Sequence, residues 1–378
     1  MSFAQSKLIP CSEPNDAPSL CKLVPEYSRN IPPTTVPPMV LSPKINLREV
    51  IQLDEIKKTI SLYVDLYVAW QDKRLAMTAK NASKIPKWFH IHDLDLVWNP
   101  TFSFGNVLNT QKVSMYGGEK IKSLWFQPPE YENDLEYAEE LIVTVSCNLD
   151  FANYPFDENE CPFFFGDLEY TISDIVLNSV KLSYHNLNTN ESGDPIMILD
   201  ANIPYNVKVW VKPSFTHEYN DNEYSSTGIV LVFYRKTLGH LLGSFYMPTL
   251  MFAAISTVSF FIHPSIVPGR MGMVVTIFLI TSNIYTSVDA PPSRGFSYIE
   301  IWMVGVQAPI LYAILEYGVV LALSRKSSSA TKIKASSFLD EKEVLFDIAV
   351  RKIDSISLIC CLIFLFCFTT TYCLIGMS

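Results

Sequence analysis

At 378 residues, 49% of them hydrophobic, the chain is long enough for two domains; its formal net charge of −9, with no basic face, excludes nucleic acid as a partner. Charged residues fill the first two-thirds and long uncharged runs begin only near residue 240, so a polar domain precedes a membrane domain. A glycine-rich phosphate loop and a convincing Ser/His/Asp arrangement are both missing from the sequence, which argues against an enzyme and implies no cofactor.

Taken in chain order, the start MSFAQSKLIPC lacks an apolar signal core, and the expectation is a mature chain whose signal has been removed. Residues 1–21 read as an N-terminal extension carrying Cys11 and Cys21. These two, and Cys147 with Cys161, make short-range pairs that fit disulfides in an oxidising compartment. Residues 22–32 predict a short helix ahead of the proline-rich linker PPTTVPP. From about residue 55 to 235 the pattern alternates with period two: Leu141, Val143, Val145 and Cys147 share one face, as do Val207, Val209 and Val211. Short alternating runs punctuated by Pro, Gly and Asn predict a β-sandwich over 22–237, its last strand, GIVLVFYRK, running into the first apolar span.

The sequons at Asn81 and Asn190 agree with an exported domain, whereas Asn99-Pro100-Thr101 has proline in the middle position and does not count. His90 and His92 put two imidazoles on one face of a strand, but no third ligand is identifiable, so no metal is assigned. The run EYENDLEYAEE (130–140) carries six acids and reads as a solvated loop, with a divalent-cation site as the sharper alternative.

Four uncharged or nearly uncharged stretches follow: 241–262, 271–288, 299–323 and 355–378, each long enough to cross the hydrocarbon layer as a helix. The third carries Glu300 and Glu316 near its ends. Arg325, Lys326, Lys332, Lys334, Arg351 and Lys352 lie between the third and fourth, and Arg270 precedes the second, which orients the N-terminal domain outside the cell. The expected divisions are 238–323 for three spans, 324–352 for a short cytoplasmic linker with an amphipathic helix over 341–354, and 353–378 for the fourth span. In the second span Gly272, Thr276, Leu279, Asn283 and Thr286 recur on one helical face that is small or polar except at Leu279. Such a stripe is either a helix-packing surface or the wall of a water-filled pore built from several copies, with Leu279 as a dewetting gate.

Taken together and in order, several motifs carry a resemblance. They are CNLDFANYPFDENEC (147–161) with its Tyr154-Pro155-Phe156-Asp157 tip, Trp70-x-Asp72-x-Arg74-Leu75, Trp98-x-Pro100, Arg235 before the first span, Pro248 within it, and the four spans. From about residue 22 to 376 the chain resembles the Cys-loop pentameric ligand-gated ion channels. The resemblance implies an all-β extracellular sandwich, an all-α four-helix membrane domain, a plasma-membrane location, and four further copies of the chain around a central pore. It implies a disulfide-closed loop, worth roughly 3 kcal/mol in the chain-entropy model, whose rigid tip presses on the 289–298 linker. Arg235 then pairs with Asp157 or with the Asp54-Glu55 pair.

At the inner mouth, Pro268-Gly269-Arg270 lacks the glutamate that cation channels of the family carry, which together with five arginines favours anions; Asp289 at the outer mouth opposes this. A cation-selective channel and a non-conducting accessory subunit are the alternatives. The resemblance also implies a small-molecule site between subunits. Tyr219 and Tyr224 match the capping loop, with Asp221 between them; Leu168 and Gly105, the latter beside Phe104, stand where relatives carry aromatic side chains, and Tyr170 is a further candidate; Asp65, Tyr67 and Glu140 stand where relatives present aromatic or arginine side chains. Loss of aromatic and arginine groups points to a bulkier, partly apolar ligand.

Overall fold

The computed structural model describes residues 8–13, 17–33, 38–79, 85–91, 94–113, 122–127, 134–185, 187–188, 195–198, 203–236, 238–263, 265–331 and 339–377. Asn81, Asn190 and His92 lie outside the described residues. The chain divides into two compact units, Met1–Leu149 with Glu158–Tyr234, and Asp150–Asp157 with Arg235–Ser378. The tip of the disulfide loop therefore belongs with the helices, although the cysteines that close it belong with the strands.

Six long strands organise the first unit: β1 (Met39–Asp54), β2 (Thr59–Gln71), β3 (Asp134–Ser146), β4 (Glu158–Gly166), β5 (Tyr205–Tyr219) and β6 (Asn222–Arg235). β1, β2 and β3 run antiparallel as neighbours within a nine-stranded sheet, and β5, β6 and β4 lie side by side in a five-stranded one. Period-two alternation does the sorting. Ile60, Leu62, Val64, Leu66, Val68 and Trp70 are buried along β2, and Leu141, Val143 and Val145 face them from β3. Each such side chain contributes about 1.5–3 kcal/mol on leaving water. Val207 and Val209 are buried as their spacing predicts, while Val211 is half-buried.

The helix expected over 22–32 is absent. Lys22 ends a strand paired with Leu75, and 23–33 form turns and bends. Pro25, Pro32 and Pro33 withhold backbone donors there. The Trp70-x-Asp72-x-Arg74 motif holds this segment instead: Arg74 pairs with Asp72 at 2.8 Å, donates to the Ile31 carbonyl at 2.9 Å and stacks over Tyr27 at 4.7 Å. The N-terminal extension is knitted into the same unit through a three-stranded sheet of Ile9–Pro10, Ser19–Lys22 and Leu75–Thr78, with Cys11 bonded to Cys21.

Gly228 of β6 lies opposite Phe164 of β4, and a Cβ placed there would stand 2.1 Å from the Phe163 carbonyl oxygen. Gly228→Ala is expected to destabilise the purified protein by about 1–3 kcal/mol, read as a drop of several degrees in its melting midpoint. An unchanged midpoint would show that the two backbones are not so closely opposed.

The second unit contains four helices long and apolar enough to cross a membrane: α1 (Leu238–Phe261), α2 (Val267–Thr286), α3 (Tyr298–Thr331) and α4 (Leu339–Met377). Pro248 offers no N–H to the Ser244 carbonyl, and the turn before it, Leu242–Tyr246, widens into π geometry. The amphipathic helix expected at 341–354 and the fourth span are one continuous helix. Tyr246, Trp302, Phe368 and Tyr372 tie α1, α3 and α4 together, with ring centroids 4.9–6.1 Å apart; Tyr246 and Tyr372 share a hydroxyl hydrogen bond of 2.9 Å, and Trp302 Nε1 donates to Thr249 at 3.0 Å.

Candidate functional site

Four groups of predicted residues can be located. On the β5–β6 hairpin, Asn220 and Asp221 have φ of 50° and 61°, so the two-residue turn is of the left-handed kind that Asn and Asp tolerate best. That tight turn leaves Tyr219 and Asp221 exposed and Tyr224 half-buried against His217, whose ring lies 5.9 Å away and whose Nδ1 is 3.1 Å from Ser226 Oγ. Leu168 is exposed, and Tyr170 packs edge-on to Trp98 at 6.4 Å. Phe104 turns toward Phe163 and Phe165, at 5.9 and 6.3 Å, and a Cβ on the exposed Gly105 would meet nothing within 4 Å.

The outward row of β1–β2–β3 is a charged lattice set by register: Asn46, Asp65 and Glu140 lie side by side, with Lys44 and Tyr67 in the next row. Asp65, expected at the ligand site, is engaged by side chains of its own chain. It is fully buried and accepts from Asn46 Nδ2 at 2.8 Å and Arg48 Nε at 2.7 Å, because a carboxylate in that position must be neutralised. Arg48, half-exposed, is the residue that sequence reasoning missed; the signal was an acid in the middle of a strand with no cation on that strand.

Tyr63 donates to Glu140 at 3.0 Å, and Lys44 lies 5.6 Å from the Tyr67 ring. Burial, then Asp65, pushes the Tyr67 phenol up to about 12. Burial raises the Glu136 carboxyl above its ordinary range, with Lys44 opposing. A carboxyl raised on folding binds more protons folded than unfolded, so stability falls as pH rises through the raised pKa. Glu136→Gln is therefore expected to raise the melting midpoint at pH 7.5 and to change it little at pH 4.5. An equal shift at both would remove the desolvated carboxylate from the account. Among the described residues no group of three His, Cys, Asp or Glu could hold a metal ion.

At the loop tip, Cys147 is bonded to Cys161, and Asp157 receives Arg235 Nε at 2.6 Å with both side chains buried. Arg235 also lies over the Tyr154 ring at 4.5 Å, and the Tyr154–Pro155 peptide is cis. The Tyr154 carbonyl accepts the backbone N–H of Ile299 at 3.2 Å, and Phe156 meets Tyr298 and Tyr372 edge-on at 6.4 Å each. Asp54 is occupied by its own turn: the N–H of Lys57, then other local contacts, hold its carboxyl below the usual range. Glu55 accepts from Tyr205.

On α2, Pro268, Gly269, Gly272, Thr276, Leu279, Asn283 and Thr286 are all exposed, with Leu279 at 59%, while Val274, Ile277 and Thr281 are buried on the opposite side. Arg270 does not belong to the exposed set. It is 1% exposed, and one guanidinium nitrogen reaches Glu316 of α3 at 2.5 Å and Asp354 of α4 at 2.8 Å. Tyr317 lies 4.7 Å from the guanidinium carbon. Two acids within apolar helices demand a cation, and position 270 shares a face with 274, 277 and 281, so the arginine is drawn into the bundle. Arg270, expected at the pore mouth, is thus held among the chain's own helices.

The description of the family model that matches this chain is neurotransmitter-gated ion-channel ligand binding domain, and the match covers residues 18–237. The chain belongs to the neurotransmitter-gated ion-channel family. This channel-family chain is 21% identical to a glutamate-gated chloride channel of Drosophila melanogaster, over 82% of its own length and 64% of the relative's. It is 24% identical to a glutamate-gated chloride channel subunit beta of Haemonchus contortus, over 81% and 71%. It is 23% identical to a gamma-aminobutyric acid receptor subunit beta of Lymnaea stagnalis, over 69% and 51%. The chain thus spans about half to seven-tenths of the length of these relatives. The family is one of ion channels, not enzymes, and a β domain followed by four apolar helices makes this a multi-pass protein of the plasma membrane.

Proposed function

We propose that the chain is one subunit of a homopentameric, ligand-gated, anion-selective channel. The observation that carries this reading is the exposed stripe of α2: mostly small and polar side chains, with Leu279 the most exposed apolar one and Val275 at its margin, on a helix whose other face is packed. A polar stripe in lipid needs water or protein, and five copies around an axis supply both. Anion preference follows from the absence of any carboxylate in the exposed first turn, Pro268-Gly269, where five helix N-termini point positive dipole ends at the passage. Arg270, neutralised by two carboxylates, contributes little to that field. The names of the relatives, chloride channels among them, support the same choice.

Arg235, Asp157, Tyr154 and Phe156 act in this reading as the coupling joint, and the β5–β6 hairpin as the ligand cap. Arg48 is committed to Asp65, so a ligand carboxylate finds no free guanidinium among the described residues of that row, and Leu168 and Gly105 leave space. The ligand is accordingly a bulkier, partly apolar molecule.

Reversal potentials test the selectivity. When external chloride is replaced by a large organic anion, the current reversal is expected to move positive by tens of millivolts. A shift that follows sodium and ignores chloride would overturn the anion assignment.

A further inference from the structure

Where β1 begins at Met39 and β2 runs out into Trp70-x-Asp72-x-Arg74, the β domain carries a cavity of about 540 Å3, a size typical of small-molecule sites. Register makes the hollow. Ser42, Ala69 and Glu136 lie side by side on the outward face, and Ala69 has nothing beyond its Cβ to fill the space between them. Pro33, Pro38 and Val40 form an apolar wall, and the two prolines bring no backbone N–H to it. Arg74 fixes the approach of Pro33 by donating to the Ile31 carbonyl at 2.9 Å.

The polar groups of the cavity differ in what they still lack. Its acceptors are engaged: Ser42 Oγ accepts from Asn178 Nδ2 at 3.2 Å, and Gln71 and Asp134 each interact with other groups of the chain. Two donors stand open. Trp70 is 2% exposed, and its Nε1 has no acceptor. Lys73 is exposed, and its neighbours Asp72 and Arg74 spend their charges on each other at 2.8 Å. A buried N–H left without an acceptor costs about 1–3 kcal/mol, which a ligand oxygen would recover. Open donors, engaged acceptors and an apolar wall match one kind of molecule, a carboxylate on an apolar body.

We propose that this cavity binds a small organic carboxylate, its oxygens on Lys73 Nζ and Trp70 Nε1 and its body against Pro33, Pro38 and Val40. Ala69 stands four residues from Asp65 along β2, about 13 Å away, so the site is separate from the charged row at Asp65 and Glu140. The inference rests on the β domain and not on conduction, so its failure leaves the channel reading untouched.

The test is isothermal titration calorimetry of the full-length protein in lipid nanodiscs, with cyclohexanecarboxylate as the probe and empty nanodiscs as the blank. The wild type is expected to bind the carboxylate and to ignore cyclohexylmethylamine, which has the same ring and the opposite charge. K73Q should weaken binding about tenfold, the loss of one charge-assisted hydrogen bond, and K73R should keep most of it. W70F should weaken it by about fivefold, and A69F, which fills the hollow, should abolish it. Trp70 packs edge-on to Trp98 at 5.7 Å, so K73Q, at the surface, decides the case should W70F fail to fold. Absence of binding by the wild type at about 10 mM, equal binding by the wild type and K73Q, or equal binding of the amine overturns the site. Loss of binding in Tyr219→Ala with K73Q unaffected would put the carboxylate at the β5–β6 hairpin, and would overturn it too.

Discussion

Cells expressing Leu279→Thr are expected to carry a standing current without any ligand, larger than the wild-type leak by about tenfold or more. Leu279 is the most exposed apolar side chain of α2, at 59% against 39% for Val275, and stands a turn from Thr276 on one side and Asn283 on the other. Five such side chains around an axis make a constriction that water leaves spontaneously, and an ion cannot cross a dry gap without losing its hydration. A hydroxyl in the same place keeps the passage wet. Whole-cell recording in the absence of ligand reads the effect, with chloride substitution to assign the ion. Ile277→Thr is the control: that residue is buried among the helices at 5% exposure, so its substitution lowers stability and creates no leak. If Leu279→Thr is silent while the protein reaches the surface, residue 279 does not line the passage.

The second large effect concerns Arg270. Glutamine at this position leaves Glu316 and Asp354 facing each other with no cation, and breaking a buried ionic group in this way costs about 3–5 kcal/mol. The melting midpoint of detergent-purified R270Q should fall by many degrees. Neutralising all three members, R270Q/E316Q/D354N, should recover most of the loss, because the penalty comes from unpaired charge and not from the missing contact. Placed in the Leu279→Thr background, the triple variant should keep the reversal potential of its parent. A shift toward cations would show that Arg270 faces the ions after all.

Both effects depend on positions that the sequence marks only in part. The stripe was legible because a helix repeats every 3.6 residues, and each of its members is exposed on the same side. Arg270 precedes that stripe by two residues, and its own sequence neighbours say nothing about which way a long side chain bends. Glu316 and Asp354 decide it from 46 and 84 residues away. Asp65 and Arg48 follow the same rule: they meet only because β1 and β2 pair in a register that sets Asn46 opposite Asp65. The short helix expected at 22–32 failed for a related reason, since pairing of Lys22 with Leu75 and the reach of Arg74 outweigh a weak local preference.

By itself the sequence determined which segments are strands and which are spans. Alternation against a core and long apolar runs against lipid are decided by each residue's own transfer free energy. It also named the family, through short motifs whose members are close along the chain. The tertiary structure alone decided how charges are paired. Arg270 with Glu316 and Asp354, Arg235 with Asp157, and Arg48 with Asp65 are each settled by strand register or helix rotation across long gaps in sequence, because a buried charge takes whichever partner the packing brings within reach.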